Sequence, residues 1–437
     1  MKLLLYTPLL TNRIRYVTDL VFKELLGLTL ILTTDQNHFL ASELPKLNYS
    51  REVMAGTMLF LPQGNLLLET KLQTQHIEVY QVQGLPAFFA CDFPMADYNF
   101  DVLSLIFYLV TRYEEYLPFA SDAHNRFPAK ESLAYRAGFL DEPLINHWVA
   151  KLKISLTEKY PTLSFVEPKY QFLPSYDIDI AWSYRHKGIY RQLAGYARDL
   201  LHFNLSQLQR RIKVQLGMVT DPYFVFDYLN ELHQKLGLSP YYFFLLGDYG
   251  PFDKSNQITA RAFQDLLHTT AKQYRTGIHP SYASHDEPQK LSKEIARLQS
   301  ATGQPVKNSR QHFLKLRFPE SYQALIAEGI TADYTMGYAA QTGFRASIAQ
   351  SFWWYDLSKE ASTNLRIFPF QVMDVTLKRY QKLEPAAALR QVQDLIDKTK
   401  AVNGVFVSLW HNSSLTEIEG WENWRSVYEE ILRRAKA

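Results

Sequence analysis

A chain of 437 residues, 47% hydrophobic and 14% aromatic, is long enough for two or three domains and too apolar to remain disordered. Its 47 basic and 44 acidic residues leave a net charge of +3, a balance that calls for neither a nucleic-acid partner nor a membrane surface. The single cysteine, Cys91, excludes an intrachain disulfide and a thiolate zinc cluster, so a metal would need histidine and carboxylate ligands, hence zinc or a similar divalent ion.

The first ten residues hold a short apolar run, but Pro8 interrupts it and no small-residue cleavage site follows, so they read as a buried strand rather than a leader. No apolar run reaches the roughly 20 residues of a spanning helix, and the protein is expected in the cytoplasm. Residues 3–7 read as a strand and 12–26 as a helix, on the spacing of Ile14, Val17, Leu20, Val21 and Leu25. Residues 28–33 read as a second strand. This β-α-β opening has no G-x-G-x-x-G turn, so it offers no phosphate loop. Residues 58–61, 77–80 and 87–89 read as further strands, and 101–116 as a strongly apolar helix. The charged end of that helix, with Arg112 and Glu115, is either a solvated turn or a docking point for a second domain. After a helix at 144–156, the polar stretch 157–167 has Pro161 inside it and Pro168 just beyond. It marks a boundary between an α/β domain at 1–165 and a second domain at 166–437.

Beyond it, strands and helices alternate. The first strand ends in Ser175-Tyr176-Asp177-Ile178-Asp179. A partly basic helix at 193–216 and a helix at 224–236 precede a strand at 241–246. A helix at 260–273 leads to His279, a helix at 289–299 to Arg310 and His312, and a helix at 320–327 to a strand at 330–334. Strands at 365–374 and 404–410 flank a helix at 385–399, and a helix at 421–434 closes the chain. Repeated β-α units on this scale predict a barrel-like or doubly wound α/β domain.

The chemistry-bearing residues sit at predicted strand ends. Asp177 and Asp179, two apart, face the same way on an ideal strand. Two buried acids are costly unless a cation or hydrogen bonds compensate them. His279, Arg310, His312 and His411 each follow a later strand. A single histidine in such a place is ordinarily structural, but the strand ends of one α/β domain converge on one face. Asp374 reads either as a group tuning His411 or as a buried turn residue. Segments 343–347 and 352–355 read either as walls of a sugar groove or as ordinary packing. Asp177-Ile178-Asp179 is also a D-x-D, which suits a glycosyltransferase holding a nucleotide-sugar diphosphate through a divalent ion.

Residues from about 170 to 437 resemble the polysaccharide deacetylase family, the NodB-homology or carbohydrate esterase family 4 enzymes. The whole chain resembles deacetylase-like proteins with an extra N-terminal domain of unknown function. The family's T-F-D-D-G is matched by Ser175-Tyr176-Asp177-Ile178-Asp179, with one residue inserted between the acids. Its H-[ST]-x-x-H is matched by His279-Pro280-Ser281-Tyr282-Ala283, which has Ala283 in place of the second histidine. Its R-x-P-[YF] is similar to Arg310-Gln311-His312-Phe313, and its L-x-H to Leu409-Trp410-His411. The resemblance implies a distorted, incomplete (β/α) barrel of NodB type after a smaller α/β domain. It implies a metal-dependent hydrolase that removes N-acetyl groups from an amino-sugar glycan or its precursor, with an N-acetylated carbohydrate as its partner. In that reading Asp177 is the general base, Asp179 and His279 hold the metal, Arg310 orients Asp177 and His411 is the general acid. The third ligand is His312 or His285. A relative that binds glycan without turnover is the other outcome the altered second motif allows.

Overall fold

The computed structural model describes every residue except Thr57, Glu167 and Ala437; the last residue of the expected linker, Glu167, thus lies outside the described residues. Strand β1 (Lys2–Tyr6) is buried from Leu3 onward on both faces, the pattern of a parallel strand covered on two sides. It lies between β2 (Thr29–Thr33) and β3 (Lys46–Ser50), and β4 (Leu59–Pro62) completes a parallel sheet of order β2-β1-β3-β4. The crossover helix, Asn12–Thr18, is capped by the Thr11 side chain and widens into a π-helical stretch, Asp19–Leu25. Strand β3 has no counterpart in the sequence reading, because its Lys-Leu-Asn-Tyr-Ser places buried Asn48 and Ser50 where an apolar run is expected. A hairpin of β5 (Tyr80–Val82) and β6 (Leu85–Ala87) follows, so the strand expected at 77–80 survives only at its last residue.

All nine residues of the helix Val102–Val110 are buried, and Asp101 caps its start. The expected continuous helix to residue 116 breaks where Arg112 takes φ 55°, and the chain resumes as a short turn, Tyr113–Tyr116. This break aims charges across the molecule. Glu115 accepts from Arg112 Nε at 2.8 Å and from Arg345 Nε at 3.0 Å, with all three side chains buried. One apolar cluster runs from Leu3 to Ala435, so both sheets share a continuous core.

The second sheet holds nine strands: β7 (Gln171–Ile178), β8 (Tyr241–Phe244), β9 (Arg275–Ile278), β10 (Asn308–Ser309), β11 (Ala332–Asp333), β12 (Phe352–Asp356), β13 (Ala361–Ile367), β14 (Val372–Met373) and β15 (Val405–His411). Their order is β12-β13-β11-β10-β9-β8-β7-β15-β14, parallel throughout except for the β12–β13 pair. The sheet is curled and open, with β12 and β14 as its two edges. Two expected elements divide. The strand read at 365–374 is two strands, β13 and β14. The helix read at 193–216 is two helices, Ile189–Leu201 and Leu205–Gln215, separated where Phe203 takes φ 50° and Asn204 caps the second.

Candidate active site

Strand β7 lies third from the β14 edge of the large sheet, between β8 and β15. Its pleat sends alternate side chains to opposite faces. Tyr176 points to the helix side, where its hydroxyl meets His233 Nε2 at 2.7 Å and Tyr428. Ser175 and Asp177 point to the other side, and Asp179 follows just past the strand end. Register aligns His411, the last residue of β15, with Asp177. His279 follows β9 and is anchored by its backbone N–H to Phe244 at 2.9 Å. Arg310 and His312 follow β10.

Arg310, fully buried, fixes Asp177. Its Nη1 donates to Asp177 Oδ1 at 3.0 Å, Nη2 to Ser175 Oγ at 2.7 Å and Nε to the Tyr334 carbonyl at 3.0 Å. Its guanidinium lies over the Phe243 ring, 4.5 Å from the centroid. Phe243 can occupy that place because position 277 is glycine: a Cβ there would stand 2.7 Å from both the Phe243 ring and the Asn308 carbonyl.

Asp179, His279 and His312 bring one ligand atom each to within 4.8 Å of one another. His279 Nδ1 lies 2.6 Å from the Arg310 carbonyl and His312 Nδ1 lies 2.9 Å from Asp253 Oδ1. Protons held on these Nδ1 atoms leave both Nε2 lone pairs for the space beside Asp179, the usual arrangement of metal-ligating histidines. Asp179 Oδ1 and His279 Nε2 approach to 3.2 Å, yet both atoms are buried without an aligned hydrogen bond. Buried polar atoms are rarely left so. A divalent cation would satisfy both, and two imidazoles with one carboxylate are a donor set suited to zinc. The residues present therefore fit a metal. His285 lies in the turn Ala283–His285, outside this cluster and outside the cavity lining.

Residues 3–161 match a family of unknown function, DUF7033. No curated protein matches the chain. Among solved structures, a protein of Mycobacterium smegmatis described as a polysaccharide deacetylase is similar at 12% identity and TM-score 0.41, over 63% of this chain and 87% of that one. A polysaccharide deacetylase of Bacillus cereus is similar at 12% identity and TM-score 0.30, over 61% and 88%. A carbohydrate esterase family 4 pseudoenzyme of Bacillus anthracis is similar at 10% identity and TM-score 0.31, over 61% and 62%.

The acids and histidines open on one cavity of about 190 Å³, lined also by Arg126, Phe313, Leu314, Met373 and Tyr380. Its electrostatics are set by close opposite charges. Burial works against ionisation of Asp179, but His312, His279 and His411 outweigh it and hold the carboxyl well below the usual range. Burial likewise opposes a charge on His312, yet Asp179 and Asp253 raise it to about 9, so a metal taking its Nε2 would release the proton there. For His411, burial is overcome first by Asp374 and then by Asp179 and Asp177, which raise it to about 10.

Asp253 and Arg126 have no place in the sequence reading. Asp253 lies in the loop after β8, so the rule that ligands gather beyond strand ends points to it; only its Gly250-Pro251 surroundings suggest an ordinary turn. Arg126 comes from the region matched by the family of unknown function and donates to the Phe313 carbonyl at 2.6 Å. No motif marks it. Segments 343–347 and 352–355 do not line the cavity: Phe344, Arg345 and Trp354 are buried in packing, and Trp353 faces a separate surface cleft beside Arg15.

Proposed function

We propose that this protein is a metal-dependent carbohydrate deacetylase, hydrolysing the N-acetyl amide of an amino-sugar glycan or its precursor. The observation that carries this reading is the pair of unsatisfied buried atoms, Asp179 Oδ1 and His279 Nε2, facing His312 in the same cavity as Asp177 and His411. Asp179, His279 and His312 hold the ion. A divalent cation held there would supply Lewis-acid chemistry, polarising the amide carbonyl and making a water more acidic.

The remaining steps belong to the side chains. Asp177, fixed in direction by Arg310, accepts the proton of the attacking water. His411 enters protonated, held by Asp374, and donates from Nε2 to the departing nitrogen, since an amine leaves poorly without a proton. The C–O bond to water forms, the C–N bond breaks, and acetate and a free amine result. Phe313, Leu314 and Met373 give the acetyl methyl an apolar wall, and Arg126 stands at the polar rim.

The Arg310 bond engages one oxygen of Asp177, so Asp177 and Asp179 serve unequal roles rather than the paired ion-holding role of a D-x-D glycosyltransferase. The test is acetate release from N-acetylated glucosamine oligomers alongside metal content of the purified protein. Zinc-dependent release that vanishes with the metal in Asp179→Ala supports the reading. Full release by metal-free Asp179→Ala rejects it.

A further inference from the structure

The helical hairpin that follows β7 is built inside out. Its two helices, Ile189–Leu201 and Leu205–Gln215, meet through charge: Arg211 Nε donates to Asp199 Oδ2 at 2.8 Å, with both side chains buried. The Arg211 guanidinium also lies over the Tyr184 and Tyr196 rings, at 4.8 and 5.5 Å. Gly195 makes room for it, because a Cβ there would stand 2.6 Å from Arg211 Nη1. The apolar stripe faces solvent instead. Ile189, Leu193, Leu200 and Leu201 recur at helical spacing, yet are 55–78% exposed. Phe203, at the tip, is 87% exposed, and Leu205 and Leu216 continue the exposed stripe along the second helix. An exposed apolar surface of this extent marks an interaction site.

Within the hairpin itself the charge is almost all of one sign. Asp199 is the only acid between residues 185 and 219, and Arg211 already neutralises it. Arg198 shares that carboxylate at 3.7 Å, which leaves Arg185, Lys187, Arg191, Arg210 and Lys213 without an acid of their own within the segment; Glu419 reaches the hairpin from a later loop, accepting from Gln207. The near-neutral balance of the whole chain conceals this local excess. A second copy of the hairpin would set cation against cation, so self-association through this face is opposed. Exposed leucines and an aromatic tip beside basic side chains that can extend to a headgroup are the composition of a helix lying in a membrane interface. The helices, of 13 and 11 residues, are too short to cross, and no helix among the described residues is long and apolar enough to do so.

We propose that this hairpin seats the protein on an anionic phospholipid surface, with its leucine stripe and Phe203 in the interface and its cations against the headgroups. The reading is independent of the chemistry assigned to the cavity. The test is co-sedimentation of the full chain with vesicles of phosphatidylcholine, alone or with about 30% phosphatidylglycerol, at low salt and at about 0.5 M salt. Expected is binding to the anionic vesicles, weakened about tenfold or more on neutral vesicles and at high salt. Leu200→Gln with Leu201→Gln, and separately Arg210→Glu with Lys213→Glu, should each lower binding about tenfold without changing the melting temperature. Absence of binding to either vesicle, equal binding to both, or unchanged binding by the two double variants would overturn the proposal. So would a wild-type dimer in light scattering that the leucine variant dissociates, which would give this face to a second copy.

Discussion

Asp374 holds His411 twice: one carboxylate oxygen accepts the backbone N–H of His411 at 2.7 Å, and the other lies 2.8 Å from its Nδ1. The ring is thereby fixed in orientation as well as charge. Because His411 is raised to about 10, its proton is present at neutral pH and is lost only as pH rises through that value. In Asp374→Asn the alkaline limb of the kcat profile should move down toward the ordinary histidine range. His411→Ala should lower kcat by about 10²–10⁴-fold while metal content stays at the wild-type level. The check is a pH series of acetate release for the three proteins. An unmoved alkaline limb in Asp374→Asn would remove His411 from the proton-donor role.

The assignment of the third ligand separates two histidines. His312→Gln should lose most bound zinc, whereas His285→Gln should keep it. Asp253→Asn, which leaves His312 in place but removes the charge on its Nδ1, should weaken zinc about 10–100-fold. Calorimetric zinc titration of the three variants reads these outcomes directly. Retention of zinc by His312→Gln would exclude His312 as a ligand.

Gly277→Ala should act at a distance. The new methyl meets the Asn308 carbonyl and the Phe243 ring, and the ring supports Arg310. Overpacking of this kind costs about 1–3 kcal/mol, and kcat should fall with it because Asp177 loses its fixed partner. Chemical denaturation and turnover measured together test this; loss of neither would show that the strand pair relaxes freely.

Glu115→Gln leaves the buried Arg112 and Arg345 without their shared carboxylate. Breaking such a network typically costs about 3–5 kcal/mol. Burial opposes the charge on Glu115, but Arg345 and then Arg112 more than offset this and depress it below the ordinary glutamate range. Its contribution is therefore present above about pH 4.5 and is lost as pH falls through the depressed value. Urea unfolding should show a larger difference between wild type and variant at pH 7 than at pH 3.

Much of the large sheet was legible because its strands are apolar runs that end in polar residues, and the sequence order of Asp177, His279, Arg310 and His411 follows successive strand ends. The convergence of those ends on one cavity follows from parallel pairing, which the β-α alternation already implied. Strand β3 was not legible, since Asn48 and Ser50 are buried by hydrogen bonds rather than by apolarity. The hairpin break at Phe203 was hidden because both flanking helices carry good helix formers, and the turn rests on one positive φ. Arg126 reaches the cavity, and Asp253 reaches His312 behind it, through loops, where no periodicity exists to read.

The segment carrying His124 and Arg126 touches the large sheet's loops closely: the His124 ring lies 5.0 Å from Phe313, and Arg126 lines the cavity itself. The cavity is thus finished by a side chain from the portion of the chain matched by the family of unknown function. Residues 166–437 taken alone would carry the acids and histidines but leave the Arg126 part of the wall behind.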